Sequence, residues 1–492
     1  MKDQDAMQHE MTTAEFKRAG YKLVDFLSLY FDTIQERAVT SAEQPGQIHK
    51  ILGNGSLPET GSSVSETIDK ACDLLFPHSL FNGHPKFFGY ITGSPLQAGV
   101  FAEMIATAIN PNLGANILSP MATAIERQTI AWMCEFIGVS PAWGGILVSG
   151  GNMANFTAFL AARTAKTSNS LKEKGLMHMQ NELTMYCSRT THTWIEKAAV
   201  LFGHGANAIR WIPTNDDQRM NNKILRNKIE EDLKGGMKPF LVVGTAGDVS
   251  TGAVDDLAEI AALCRENDLW FHIDGAYGMP ATVVPECKSL FDGFADADSI
   301  AMDPHKWLYA PLEAGCTLVK NPQHLLDTFS AHPVYFNFSN SDDEPAFNFY
   351  EYGFQNSRGF RALKVWMAFQ HLGRSGYIKL IRKDIELARL LFKMAEENNE
   401  LEPITHNLSI TTFRYVPAGV NSDASNESYL NALNEKLLNR LQNGGEVFLS
   451  NAMVSGKYCL RACMVNFRTT QNDILETVKI VVREGRKIHE TK

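Results

Sequence analysis

The chain has 492 residues, 44% of them hydrophobic, with 46 Lys and Arg against 55 Asp and Glu for a formal net charge of −9. That length can bury a large core and suggests about three domains, or one large domain with appendages, rather than a small binding module. The acidic balance argues against a sequence-independent grip on nucleic acid, which needs clustered Lys and Arg, so no nucleic-acid partner is expected.

The first residues, Met1 to Asp5, are polar and acidic, so no secretory leader is visible. The segment from Ala14 to Arg37 sets Phe16, Leu23, Leu27, Phe31 and Ile34 on one helical face, an amphipathic docking helix. Ser41 to Glu66 is rich in Gly, Ser, Pro and Glu and reads as a linker. From about Phe87 to Leu372 short apolar runs alternate with helical patterns, as in an α/β domain. Strands are expected at Gly145–Val148, Phe240–Val243, Leu269–Ile273, Ser299–Met302 and Cys316–Val319, with helices at Ala154–Lys166 and Asp256–Arg265. Their long or helical connections imply a mostly parallel sheet with chemistry at the carboxyl ends of its strands. After a helix around Arg361–His371 the pattern changes. Leu408–Val416 is strand-like, Tyr429–Leu441 helical, Val447–Val465 a strand pair and Asp473–Arg486 helical, which suggests a smaller α+β domain. The division expected is residues 1–86, 87–372 and 373–492. No apolar run reaches membrane-spanning length. The eight cysteines (Cys72, Cys134, Cys187, Cys264, Cys287, Cys316, Cys459 and Cys463) are scattered, several in apolar stretches, as buried reduced thiols are. A cytoplasmic protein without membrane or metal partners is the expectation.

Four motifs carry chemistry in combination. Lys306, in Ala301-Met302-Asp303-Pro304-His305-Lys306-Trp307-Leu308, falls between two strands and so on a loop at the sheet's functional edge. Taken singly it would be a solvated surface charge, the usual fate of lysines. Upstream, Phe271-His272-Ile273-Asp274-Gly275-Ala276-Tyr277-Gly278 places a carboxylate at the end of an apolar strand. Taken singly, that position suits a helix-capping or turn aspartate better; a pyridoxal phosphate (PLP) enzyme, however, needs a carboxylate at such a strand end to keep the pyridine nitrogen protonated as an electron sink. Val148-Ser149-Gly150-Gly151-Asn152-Met153-Ala154-Asn155 turns a strand into a helix through two glycines, which lets a phosphate reach the free N–H groups of the first helical turn, without the lysine of a P-loop. Finally, Tyr186-Cys187-Ser188-Arg189-Thr190-Thr191-His192-Thr193-Trp194 puts a histidine near a helix start, either a local cap or an aromatic face to stack on a ring.

Together these motifs resemble the group II PLP-dependent amino acid decarboxylases, the family of aromatic-L-amino-acid, tyrosine, tryptophan and glutamate decarboxylases. The resemblance extends to His84-Pro85-Lys86-Phe87-Phe88-Gly89-Tyr90, Ser119-Pro120-Met121-Ala122-Thr123-Ala124-Ile125-Glu126 and Arg358-Gly359-Phe360-Arg361-Ala362-Leu363-Lys364. It implies PLP fold type I and an obligate homodimer with sites at the subunit interface. It further implies Lys306 as the Schiff-base lysine, Asp274 as the partner of the pyridine nitrogen, Ala276 as a ring-face contact and His192 as the stacking histidine. Gly151 and Asn152 would form part of the phosphate cup, and His305 would serve the phosphate and substrate side. His332-Pro333-Val334-Tyr335-Phe336 resembles the family's mobile catalytic loop, and the hydroxyl of Tyr335 implies protonation at Cα, hence an amine rather than an aldehyde product.

Two positions depart from the family pattern. Gly247-Asp248-Val249 stands where many relatives read Gly-Thr-Thr, and Asp303 where many have asparagine close to the phosphate. An ionised Asp303 would repel a phosphate, so its carboxyl is expected to point elsewhere or hold a proton. The side-chain pocket implied by the family holds Tyr90, Ile91, Thr92, Gly93, Asn112, Leu113 and Gly114, without an arginine for a side-chain carboxylate. Tyr90, Asn112 and Gly114 are the substrate candidates, with room for an aromatic amino acid, although Asn112 suits a turn cap after Pro111 equally well. Decarboxylation of glutamate or another non-aromatic amino acid, or a fold type I aminotransferase or lyase, is the alternative.

Overall fold

The computed structural model describes residues 10–167, 170–331 and 346–491. Its strands are β1 (Gly144–Val148), β2 (Leu183–Ser188), β3 (Ile209–Ile212), β4 (Lys238–Thr245), β5 (Trp270–Asp274), β6 (Ser299–Met302), β7 (Gly315–Val319), β8 (Leu401–Asn407), β9 (Ile410–Tyr415), β10 (Ser450–Val454) and β11 (Lys457–Cys463). Its helices are α1 (Thr13–Thr33), α2 (Pro45–Leu52), α3 (Val64–Leu75), α4 (Gln97–Ile109), α5 (Pro120–Ile137), α6 (Gly151–Lys166), α7 (Ser170–Lys174), α8 (Trp194–Leu201), α9 (Asn222–Lys234), α10 (Leu257–Glu266), α11 (Gln323–Phe329), α12 (Ala362–Glu396), α13 (Glu427–Gly444) and α14 (Gln471–Glu490).

The amino-terminal helices start where side chains can satisfy the free N–H groups. Thr12 with Glu15 and Ser63 with Glu66 form reciprocal caps at α1 and α3. The stretch expected as a linker contains α2, because Pro45 suits the first turn and Gln47 Oε1 accepts from Gln44 N at 2.7 Å. The apolar face of α1 is only partly covered by the chain: Ile34 is buried, whereas Phe16 is 65% exposed.

The large sheet has the order β1-β7-β6-β5-β4-β2-β3. Strands β2 to β6 pair in parallel, and β7 runs antiparallel to both β6 and β1. Strands covered on both faces read as apolar runs, and Phe240 to Val243 of β4 are fully buried. The carboxyl ends of β1, β2, β4, β5 and β6 therefore lie along one edge.

The small sheet is antiparallel, in the order β10-β11-β9-β8, and packs with α12, α13 and α14. The expected boundary at residue 86 cuts through a segment that belongs beside this sheet. Phe88 N donates to Phe448 O at 2.8 Å, Phe448 N to Lys86 O at 3.1 Å and Cys463 N to Phe88 O at 3.0 Å. The expected boundary at 372 coincides with a kink: Gly373 takes φ 60°, ψ 174° inside α12, and the helix continues beyond it.

A buried ion pair ties distant segments to the edge. Arg358 donates to Glu126 Oε1 at 2.5 Å and to Leu147 O at 2.7 Å, Leu147 N donates to Glu126 Oε1 at 3.2 Å, and the guanidinium lies 4.5 Å from the Phe349 ring centre. Both charged side chains are almost fully buried. Arg358→Met is expected to strand the Glu126 charge and cost about 3–5 kcal/mol in denaturant unfolding, while the double variant with Glu126→Leu loses less. Equal loss in single and double variants would contradict the pairing.

Candidate active site

Each loop that leaves the carboxyl end of β1, β2, β4, β5 or β6 contributes to one cavity of about 650 Å³. After β1 come Gly150, Gly151 and Asn152, and after β2 Thr190 and His192. Beyond β4 stand Gly247, Val249 and Ser250, and Asp274 and Ala276 come from the end of β5. Asp303, His305 and Lys306 follow β6, and the small sheet adds Ser450, Asn451 and Arg461.

The start of α6 forms an open cradle. Gly150, at φ 125°, is its cap residue and offers no side chain to the first-turn N–H groups, which leaves them for an anion. A Cβ on Gly151 would stand 2.6 Å from Asp303 Oδ2, so any larger residue there would displace the Asp303 carboxyl. Behind the cradle runs a chain of buried hydrogen bonds with one consistent direction. Trp270 Nε1 donates to Ser299 Oγ at 2.8 Å, Ser299 faces His272 Nδ1 at 2.8 Å, His272 Nε2 faces Asn155 Oδ1 at 2.7 Å, and Asn155 Nδ2 donates to Gly151 O at 2.9 Å. Burial lowers His272 to about 4, so a neutral ring with its proton on Nε2 links the sheet interior to the Gly151 carbonyl.

Asp274 is fixed at the end of β5. Its Oδ2 accepts from Trp194 Nε1 at 2.7 Å and its Oδ1 from Ala276 N at 3.3 Å, so the carboxylate keeps one orientation on the cavity wall. Burial holds His192 below its ordinary pKa, opposed by the Asp274 charge, which leaves a neutral flat ring in the cavity near neutral pH. His305 is lowered by the same cause and partly restored by Asp303.

Lys306 Nζ stands 3.1 Å from Asp303 Oδ2, and His305 Nε2 stands 3.8 Å from the same oxygen. The Asp303 carboxyl, expected to point elsewhere or hold a proton, lies against the Lys306 amine. The other departure is turned into its own loop: Asp248 accepts from Ser250 N at 2.7 Å and from the Thr251 N–H and hydroxyl, and it does not line the cavity. Thr190, Thr245 and Ser250 line the cavity instead.

Of the substrate candidates, Tyr90 lines the cavity, and Asn112 and Gly114 of this chain do not. Asn112 Oδ1 accepts from Gly114 N at 3.0 Å and Arg358 N at 3.1 Å, the turn-capping alternative, and a Cβ on Gly114 would collide with Asn356 O. Tyr335 and the loop from His332 lie outside the described residues. Sequence reasoning missed Trp194 as the anchor of Asp274, although it closes the His192 motif. Arg461 was also missed. It is 2% exposed, donates through Nη1 to Tyr90 O at 3.1 Å and Ser450 Oγ at 2.9 Å, and has Nε and Nη2 without hydrogen-bond partners among the described residues.

The arrangement fits PLP in each chemical part: an amine, a fixed carboxylate for a ring nitrogen, a flat neutral ring and an uncapped helix start for a phosphate. Comparisons with known proteins agree. Residues 45–416 match the family model described as the pyridoxal-dependent decarboxylase conserved domain. The chain is 33% identical to an aromatic-L-amino-acid decarboxylase of Bacillus atrophaeus over 95% of each chain. It shares its fold with a tryptophan decarboxylase of Catharanthus roseus solved with L-tryptophan, at a TM-score of 0.87 and 25% identity over 97% of this chain and 99% of the other. The fold also matches that of an Oryza sativa protein solved with PLP and tryptamine, at a TM-score of 0.90 and 24% identity over 98% and 99% of the two chains. Gly151→Ala is expected to weaken PLP binding at least about tenfold, or about 1.4 kcal/mol, in spectrophotometric titration of the apoprotein. An unchanged dissociation constant would remove Gly151 from the cradle.

Proposed function

Because the chain belongs to the pyridoxal-dependent decarboxylase family, we propose that it converts an aromatic L-amino acid to the corresponding amine and carbon dioxide. The observation that carries this reading is the convergence of Lys306, Asp274 and the open start of α6 in one cavity. When bound, PLP supplies an electron sink for the bond broken at Cα. Lys306 is the amine to which the cofactor is joined, and the Asp303 carboxylate 3.1 Å away holds that amine at the cavity wall. Asp274, oriented by Trp194, would pair with the ring nitrogen. Gly151 and Asn152 would hold the phosphate with His305 beside them, His192 and Ala276 would pack against the ring, and Tyr335 would supply the proton to Cα.

The substrate side combines apolar surface with one fixed charge. Ile91, Val249 and Leu312 line the cavity together with Tyr90, and the two unpartnered nitrogens of Arg461 offer a buried cation to a carboxylate. Among the described lining residues the cations are Arg461 and Lys306. Glutamate would bring a second carboxylate without a second free cation, at the desolvation cost of an unpaired buried charge. An aromatic side chain carries no such cost, and the similar proteins named above are aromatic-amino-acid decarboxylases.

The active unit is a homodimer. Phe101, Ile105 and Ile109 along α4, and Ile117, Leu118 and Met121 further along the chain, are exposed apolar side chains of the kind that protein interfaces cover. Pairing through them would carry Asn112 and Gly114, which lie in the same stretch of chain, toward the cavity of the second copy. Cytoplasmic residence accords with eight buried cysteines, all free. Among the described residues no helix is long and apolar enough to cross a membrane.

Purified protein with PLP is expected to release carbon dioxide and amine in equal amounts from at least one of phenylalanine, tyrosine and tryptophan. Release from glutamate alone would overturn the substrate class, and a keto acid without carbon dioxide would overturn the reaction. In air, Tyr335→Phe is expected to divert product from amine to aldehyde, with dioxygen consumed and ammonia and hydrogen peroxide released, as measured by chromatography and oxygen uptake. An unchanged amine yield would remove Tyr335 from the proton transfer.

A further inference from the structure

The residues that follow Lys306 are tied to the protein more heavily than a loop lysine requires. Trp307 Nε1 donates to Asp384 Oδ2 at 3.0 Å, and the Tyr309 hydroxyl donates to the same oxygen at 2.7 Å. Between them, the Leu308 carbonyl accepts from the Tyr377 hydroxyl at 3.0 Å. Three consecutive residues after the lysine are thus each bonded to α12. Tyr377 and Asp384 are seven residues apart, which puts them on one face of that helix. All five of these residues are buried.

The local backbone would not hold this shape by itself. Tyr309 has φ 55°, in the left-handed region that costs a residue with a side chain about 1–2 kcal/mol, and its N–H reaches Lys306 O at 3.3 Å. Trp307 is further stacked on Tyr277, with ring centres 5.0 Å apart, three residues beyond Asp274. Asp384 lies beyond the Gly373 kink, in the half of α12 that packs on β8 and β9 of the small sheet. A leucine would fill the same space without the cost of burying a carboxyl group. Burial does push Asp384 up, to about 7.

We propose that Asp384 is a positioning residue for Lys306: by accepting from both Trp307 and Tyr309 it sets where the lysine amine stands and links that amine to the small sheet through α12. The proposal rests on Lys306 being the cofactor lysine. It predicts that removing the acceptor loosens the loop and detunes the amine, whereas keeping an oxygen there preserves both.

The test compares Asp384→Leu, Asp384→Asn and Trp307→Phe in the full-length protein. Amide hydrogen exchange across residues 304–310 is measured without PLP. The pH midpoint of the bound cofactor's visible absorbance, kcat and KM are measured with it. Asp384→Leu is expected to speed exchange over 304–310, to move the midpoint by about half a pH unit or more, and to lower kcat by on the order of 10²-fold with KM changed by less than about threefold. Asp384→Asn, which keeps an acceptor oxygen, is expected to recover most of each effect. A folded Asp384→Leu with parental exchange, midpoint and kcat overturns the proposal, as does an equal loss in the Asn and Leu variants. Should Asp384→Leu fail to fold, Trp307→Phe removes one donor while keeping a ring and is expected to move the same readouts in the same direction. Unchanged readouts there also overturn it. Because exchange is read without cofactor, accelerated exchange in a protein whose cofactor is carried elsewhere would count against the assignment of Lys306 and not against the clamp.

Discussion

Strands that run parallel must end together, and this constraint organises the site. The carboxyl ends of β1, β2, β4, β5 and β6 share one edge, and every chemically active side chain contributed by the large sheet sits within a few residues of such an end. At a strand end the backbone hydrogen bonds of the sheet stop, so the chain can turn a side chain or a free N–H toward an open space. The antiparallel strand β7 keeps the edge continuous, since Gly315 at its start stands opposite Val148 at the end of β1. A Cβ on Gly315 would meet the Gly150 backbone at 2.5 Å, which explains how the cradle lies flat against its neighbour.

A second layer of buried polar groups turns this placement into orientation. Trp194 fixes Asp274, the Trp270-Ser299-His272-Asn155 chain fixes the Gly151 carbonyl, and Asp384 holds the two aromatic residues on either side of Leu308. Each is a directional bond in a low-dielectric interior, where an unmade partner costs far more than a made one gains. The groups facing the cavity therefore have few alternative positions. On the cavity wall, two Arg461 nitrogens and Asp303 Oδ1 are buried and unpartnered among the described residues, as groups reserved for a ligand would be; Asp384 Oδ1 is also without a partner among them.

The sequence made the interior of the fold legible and its margins less so. Strands β1 and β4 to β7 read as apolar runs because both faces are covered. β3 escaped notice because it is four residues long with Trp211 partly exposed at the sheet's edge, and β8 because Glu402, Pro403 and His406 break the alternation. The full length of α12 was hidden by Gly373, which reads as a stop and is a kink. That Gly151, Asp274 and Lys306 meet at one cavity was readable because each belongs to a short motif beside its strand. Arg461 and Asp384 were not, since nothing local to either marks it and only the packing of the small sheet and α12 brings them to the cavity and its lysine loop. Asn112 shows the converse: a residue in the right stretch of chain is here a turn cap, and its proposed place at a site depends on a second copy.

All of these groups serve the site only if Lys306, on the loop after β6, carries the cofactor. Reductive trapping tests it most directly: the PLP-loaded protein is treated with borohydride, digested and mapped by mass spectrometry. A phosphopyridoxyl group is expected on Lys306 at close to one per chain. A label on another lysine, or a loaded protein that takes no label, would contradict it.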